Sequence, residues 1–208
     1  MNIQPKTLES WIKFIRFHPD LAESYMNCFW LSQLQSKEHL IDVLDEMQMV
    51  NRDPNLGNIF VFGGWYGVTT QLILDFPDFT CDSVYSIDIN PICAWVFDDV
   101  IKDPKAHAVT ANCADYKYPQ HPNIVINTVT EHLAQSDYDS WWNNIPKGTE
   151  FILQGNNYFE HHQHIRCAKN IDDFLAINKV TEYHDKLTWS FTGPDDKLYN
   201  RFMVWGSK

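Results

Sequence analysis

Asn58-Ile59-Phe60-Val61-Phe62-Gly63-Gly64-Trp65-Tyr66-Gly67 is the stretch on which the fold turns. A short, uninterrupted apolar run is what a strand buried on both faces requires. It stops at Gly63-Gly64, and a helix is expected to begin near Gly67. Glycine permits the tight turn and lets a ligand approach the backbone. A second run, Ser83-Val84-Tyr85-Ser86-Ile87, ends in Asp88, 21 residues beyond Gly67. A carboxylate there can accept hydrogen bonds from both hydroxyls of a ribose, at a spacing shared by nucleotide-binding folds. Taken singly, each feature has a plainer alternative, an ordinary strand–helix turn and a helix-capping acid.

Outward from this stretch, strands alternate with helices. Asn90-Pro91 supplies a cap and a first helical residue, and the next helix is expected to bury Ile92, Trp95, Val96 and Val100. Ala106–Ala111 predicts a weaker strand and Ile124-Val125-Ile126 a strong one, followed by a helix over Ser136–Asn144 and a strand over Glu150–Leu153. Asn170 can cap a helix through Ile177, with Asp172 and Asp173 where the helix dipole favours acids. Val180–Phe191 and Leu198–Trp205, separated by Gly193-Pro194-Asp195-Asp196, predict an antiparallel hairpin. The first fifty residues read as helical. Over Ser36–Val50, Leu40, Val43, Leu44 and Met47 recur at helical spacing with Ser36 as N-cap, and Asn51-Arg52-Asp53-Pro54-Asn55 breaks the helix.

The expected fold class is therefore α/β and Rossmann-like. It has a mostly parallel seven-stranded sheet, a C-terminal antiparallel hairpin and helices on both faces. Residues 1–57 form an amino-terminal helical segment packed on a core domain of residues 58–208. In such sheets ligands bind beyond the carboxyl ends of the strands, near the switch in strand order.

Composition narrows the partners. The 208 residues carry a formal net charge of -11 and no run of Lys or Arg, which argues against nucleic acid. Hydrophobic residues at 44% suffice for a core. The five cysteines (28, 81, 93, 113 and 167) never form CxxC, so they read as reduced thiols of a cytoplasmic protein. The opening MNIQPKTLES is polar and unlike a signal peptide, and no apolar run approaches the roughly 18 residues of a membrane span. A small-molecule substrate is the expected partner.

Polar groups crowd the ends of the predicted strands. Asp115 can accept from an adenine amino group with Tyr116 beside the ring, although a solvated loop acid is equally consistent. Asn127, Thr128, Glu131 and His132 follow the fourth strand, and Gln154, Asn156, Asn157 and Tyr158 the fifth. His132 is a candidate general base, its ordinary pKa being near neutrality. Adjacent residues on one α-helix point about 100° apart, so Glu131 and His132 are not expected to face one atom together. His161 and His164, spaced i, i+3, can share a helical face. With Glu131 or His132 they would make a ligand set, but substrate recognition is the reading taken and no metal is assigned. Arg201 pairs either with an acidic substrate or with a surface Asp. Most tryptophans, Trp95, Trp141, Trp142, Trp189 and Trp205 among them, are expected in the core, and Trp65 against the ligand.

Five motifs carry a closer resemblance: Gly63-Gly64-Trp65-Tyr66-Gly67, Ser86-Ile87-Asp88-Ile89-Asn90-Pro91, Ile126-Asn127-Thr128 with Glu131-His132, Leu153-Gln154-Gly155-Asn156-Asn157-Tyr158, and Tyr199-Asn200-Arg201-Phe202-Met203. From about Ser36-Lys37 to its end the chain resembles small class I S-adenosylmethionine (SAM)-dependent methyltransferase-like proteins of tailed phages and bacteria. The resemblance implies SAM as cofactor and a Rossmann-like fold, and it names no acceptor; a small polar one is expected from the polar groups at the strand ends. SAM would lie against Gly63, Gly64, Trp65, Tyr66, Gly67, Asp88 and Ile89, and against Asp115, Tyr116, Asn127 and Thr128. His132, Glu131 and Asn156 would serve catalysis. Gln154, Asn157, Tyr158, His161, His164, Arg201 and Lys37 would bind the acceptor. The chain departs from the pattern in three places. Trp65 replaces the middle glycine of G-x-G-x-G, Val61 stands where many methyltransferases have an acid, and Val129-Thr130 stand where relatives are expected to have Ser-Cys. A SAM- or S-adenosylhomocysteine (SAH)-binding protein without transferase activity is the first alternative. An NAD-dependent oxidoreductase is the second, although Gly63-Gly64-Trp65-Tyr66-Gly67-Val68 does not supply G-x-G-x-x-G.

Overall fold

The computed structural model describes residues 3–193 and 195–208, so Met1-Asn2 of the polar opening and Pro194 of the expected turn lie outside the described residues. The helices are α1 (Pro5–Phe17), α2 (Ala22–Met26), α3 (Leu31–Asn51), α4 (Val68–Asp75), α5 (Pro91–Val100), α6 (Gln135–Asn144) and α7 (Ile171–Ile177). The strands are β1 (Asn58–Phe62), β2 (Ser83–Asp88), β3 (Ala106–Thr110), β4 (Ile124–Asn127), β5 (Glu150–Asn156), β6 (Asp185–Thr192) and β7 (Leu198–Ser207). Among the described residues they form one seven-stranded sheet of order β3-β2-β1-β4-β5-β7-β6. The first five strands in that order run parallel, and β7 is antiparallel to both β5 and β6. Strand order switches between β1 and β4. No described helix is long and apolar enough to cross a membrane.

The apolar run of β1 is buried on both faces, as expected. Ile59 and Val61 join a cluster with residues of α1, α3, α4 and α5. Phe60 and Phe62 face the other way, among Tyr116, Tyr138, Trp141 and Phe174. Strand side chains alternate between faces, so both layers are served by consecutive residues. Each fully buried Phe contributes roughly 2–3 kcal/mol.

Several expectations are corrected. Ser36 caps nothing. The helix begins at Leu31, without a side-chain cap, and the buried Ser36 hydroxyl donates to Gln154 Oε1 at 2.7 Å. The inward stripe of α5 is Cys93, Val96, Phe97 and Val100. Ile92 and Trp95 are exposed, and Trp95 leaves the core to lie against the rings of Phe14 and His18 on α1. β6 starts at Asp185, because Lys179 adopts a left-handed conformation after α7 and holds Val180 in a turn. β5 runs on through Gln154, Gly155 and Asn156, since β7 pairs with it along its whole length. The caps at Asn90 and Asn170 are present, their side chains accepting from Ile92 N and Asp173 N.

Gly155 sits where this extended strand crosses α7. A Cβ there would lie 2.5 Å from Phe174 and 2.8 Å from Thr130 Oγ1. Gly155→Ala is expected to destabilise by about 1–3 kcal/mol, lowering Tm by roughly 3–10 °C. An unchanged melting curve would remove this packing argument.

Candidate active site

The carboxyl ends of the parallel strands open into a cleft of about 890 Å³, a size usual for small-molecule sites. Its first wall is the turn after β1. Gly63 has φ 72°, and a Cβ on it would lie 2.2 Å from Val129. The Gly63 and Gly64 amides donate to the Ile87 carbonyl at 2.9 and 3.2 Å, which draws the turn over the end of β2. Asp88 then holds the next residues. Its Oδ2 accepts from Trp65 N at 3.1 Å and its Oδ1 from Asn90 N at 3.0 Å. Gly63, Gly64, Trp65, Asp88 and Ile89 all line the cleft. Thr128 joins them, its hydroxyl donating to the Gly63 carbonyl at 3.1 Å.

Other expected cofactor residues are placed elsewhere. Asp115 is exposed and does not line the cleft. The short 3-10 turn Cys113–Asp115 leaves Asn112 and Cys113 lining the cleft, beside Asp137 of α6. Tyr116 is a core residue packed edge-on against Phe60 and Phe62. Tyr66 is buried and hydrogen-bonds Ser24 through its hydroxyl at 2.8 Å. Gly67, at φ 81°, is the N-cap of α4 and lies against Phe97. Asn127 is fully buried behind the cleft. Its Oδ1 accepts from Val129 N at 3.1 Å, and its Nδ2 has no partner.

The second wall comes from the 3-10 turn Thr130–His132 and the end of β5. Glu131 is buried, 4% exposed, and Asn156 Nδ2 donates to its Oε1, while its Oε2 has no partner. Burial pushes the Glu131 carboxyl above its ordinary range, against the opposing pull of nearby Arg201. His132 and His164 are both pushed down by burial, which favours neutral imidazole. Their rings cross at 85° with centroids 4.7 Å apart. The segment carrying His161 and His164 is a turn and not the expected helix. His164 Nδ1 donates to the Tyr158 carbonyl at 2.8 Å. Glu131 and His132 converge after all, because the chain bends as a 3-10 turn. One donor atom from each, and one from His164, lie within 4.8 Å of one another.

Gln154 lines the cleft, but its amide is committed. It accepts from Ser36 Oγ and donates to Ser36 O at 2.9 Å, tying α3 to β5. Asn157 stays outside and clamps Asn200 on β7. Tyr158 and His161 line the rim.

Lys37 and Arg201, both 8% exposed, reach the cleft from α3 and β7. Arg201 is no surface residue. Its Nε lacks a partner, and its guanidinium lies 5.1 Å from the Phe191 ring centroid. Lys37 Nζ makes two long hydrogen bonds, to the Cys28 and Gln33 carbonyls at 3.4 and 3.3 Å. Burial pulls its pKa down to about 8, with the Arg201 charge adding to the effect. Sequence reasoning missed Asn112, Cys113 and Asp137 on the first wall. It also missed Arg166, which bolts the histidine turn down by donating to Thr130 O at 3.1 Å and to Asn178 Oδ1 at 2.9 Å. A lone arginine in a loop gives no pattern to find.

This sheet order, with its terminal antiparallel hairpin, is the Rossmann-like fold of class I SAM-dependent methyltransferases. Solved structures of that class superpose on the chain. The N-methyltransferase NodS from Bradyrhizobium japonicum WM9 matches with TM-score 0.60 at 9% identity, covering 83% of this chain and 98% of NodS. Its complex with SAH matches with TM-score 0.56 at 9% identity, covering 73% and 79%. A TehB-like SAM-dependent methyltransferase from Corynebacterium glutamicum matches with TM-score 0.51 at 13% identity, covering 79% and 87%. No protein-family model and no curated protein sequence matches the chain. At these identities the likeness establishes the fold.

Proposed function

We propose that the chain is a SAM-dependent methyltransferase acting on a small polar acceptor that carries an acid group. Asp88 carries the reading. It lies at the carboxyl end of β2 beside the glycine turn, and each of its oxygens spends one lone pair on the loop backbone. An ionised carboxylate has about four acceptor sites, so two remain for ribose hydroxyls. Trp65 and Ile89 then flank the adenosine. Asn112 and Asp137 replace Asp115 at the adenine edge. The SAH bound to the similarly folded NodS supports the choice of nucleoside.

In the transfer, an acceptor lone pair attacks the methyl carbon in line with the sulfur–carbon bond. That bond breaks, its electron pair returns to sulfur, and SAH is the leaving group. Alignment supplies most of the acceleration. Glu131 or His132 takes the proton the acceptor loses, and Asn156 positions Glu131 by donating to its Oε1. Lys37 and Arg201 are the argument for an acidic acceptor. Buried cations are costly unless an anion meets them, and both face the cleft. Val129 and Thr130, at the positions of the expected Ser-Cys, offer no nucleophile. Val129 covers Gly63, and the Thr130 hydroxyl donates to the Gln154 carbonyl at 2.6 Å.

The same reading takes in three finer points. Motif resemblance groups the chain with small phage and bacterial proteins. The free cysteines fit a cytoplasmic setting. The division into an amino-terminal helical segment, residues 1–57, packed on a 58–208 domain belongs to this reading as well.

The test is methyl transfer from radiolabelled SAM to a panel of small carboxylates, phosphates and neutral analogues. Label is expected in acid-bearing acceptors only. Arg201→Met should raise the acceptor KM at least tenfold, on the order of one lost charged hydrogen bond, and leave SAH affinity unchanged. SAH binding without transfer to any acceptor would leave the non-catalytic binder, which Val61 and Trp65 in place of the usual acid and glycine favour. An NAD-dependent oxidoreductase is disfavoured by the missing glycine pattern, and calorimetry with NAD should give no heat.

A further inference from the structure

We infer that Glu131, His132 and His164 bind a divalent transition-metal ion of the zinc, cobalt or manganese kind at the acceptor end of the cleft. Two imidazoles and one carboxylate form a donor set that such ions favour. One donor atom from each residue lies within 4.8 Å of the other two. Around a tetrahedral ion with ~2.1 Å bonds, donor atoms stand roughly 3.4 Å apart. Closing the set therefore needs side-chain movement on the order of 1 Å.

Two further observations point to a ligand and not to a chance cluster. The first is Glu131 Oε2, a buried carboxylate oxygen without any partner. A buried acceptor left empty costs about 1–3 kcal/mol, and an ion would fill it. The second is the outer layer. His164 Nδ1 donates to the Tyr158 carbonyl, which leaves Nε2 as the free lone pair. The His132 ring faces the Gln163 backbone carbonyl, which favours a proton on the ring nitrogen turned towards it. The other Glu131 oxygen is held by Asn156, whose own Oδ1 accepts from Tyr158 N at 2.9 Å. Glu131 and His164 are thus each oriented by a second hydrogen bond, as metal ligands characteristically are. Arg201, the nearby cation, makes no ion pair within 4.0 Å to Glu131 among the described residues, so the carboxylate is not already neutralised by contact. An ion here shares the cleft with Lys37 and Arg201. This rests on the acceptor reading above only for its purpose, since binding of the ion itself needs no cofactor. With the ion in place, Glu131 and His132 serve as ligands and not as proton acceptors, and the proton of the acceptor passes to water in the cleft.

The test is a Co²⁺ titration of chelator-treated, dialysed protein, followed by ligand-field absorption and calorimetry, with Zn²⁺ as competitor. One Co²⁺ per chain is expected, displaced by Zn²⁺. His132→Ala, His164→Ala and the near-isosteric Glu131→Gln should each weaken Co²⁺ binding about 100-fold or more, and Asn156→Ala roughly 10–100-fold. His162→Ala, on an exposed neighbour, should leave binding unchanged. SAH affinity of the metal-free protein reads the cofactor site separately. Failure to take up Co²⁺, or equal uptake by His132→Ala and His164→Ala, overturns the ion site even if SAH binds. Failure to bind SAH with Co²⁺ uptake intact overturns the transferase reading alone.

Discussion

Asp88→Ala is expected to weaken SAH binding by two orders of magnitude or more. Two charged hydrogen bonds to a ribose are worth about 3 kcal/mol or more together, which is at least a hundredfold in Kd. The loss is compounded because Asp88 also holds Trp65 N and Asn90 N, so the turn over the cofactor loosens. Asp88→Asn keeps one acceptor oxygen and should fall between. Calorimetry with SAH measures both. An Asp88→Ala affinity within threefold of the parent would remove the ribose assignment, and the location of the cofactor with it.

Lys37→Met is expected to stabilise the protein at pH 7 while abolishing recognition of an acidic acceptor. Burial lowers the Lys37 pKa from 10.5 to about 8. That difference corresponds to at most about 3 kcal/mol of disfavoured charge in the folded state. The sign follows from proton binding. Between pH 8 and 10.5 the unfolded chain holds a proton on Lys37 that the folded chain has released, so stability from this group rises with pH. The penalty is complete below about pH 8 and is relieved as pH climbs to 10.5. Methionine fills a similar volume without charge, so the variant should lead by roughly 1–3 kcal/mol at pH 7. The lead should shrink through the alkaline range. Urea unfolding at several pH values reads this directly. A Lys37→Met protein less stable than the parent at pH 7, or a gap that widens with pH, would show that Lys37 is a structural cation and not one held for a ligand.

How much of this was legible beforehand follows from what each signal encodes. β1 was readable because a strand covered on both faces must be apolar at every position, and Ile59 to Phe62 are. Asp88 was readable because a strand end, a glycine turn and a carboxylate fall at a characteristic spacing. The beginning of α3 was not. Its first turns, Leu31-Ser32-Gln33-Leu34-Gln35, lack both a capping side chain and a strong apolar stripe, and Ser36 imitated a cap. Asp115 failed for a different reason. A single 3-10 turn sets which of Asn112, Cys113 and Asp115 faces the cleft, and side-chain periodicity carries no information about a three-residue loop. Tyr116 was drawn into the core because an aromatic beside Phe60 and Phe62 gains more from burial than from a place at the rim. The convergence of Glu131 with His132 was hidden by assuming α-helical geometry. The meeting of Lys37 and Arg201, from α3 and β7, is a tertiary fact with no local trace.

The most direct test of the central claim is a diffraction structure of the protein with SAH. The expected result is one SAH in the cleft, its ribose hydroxyls within hydrogen-bond distance of the Asp88 carboxylate and its sulfur facing Glu131 and Asn156. SAH seated elsewhere, or a cleft that excludes it at saturating concentration, would contradict the account.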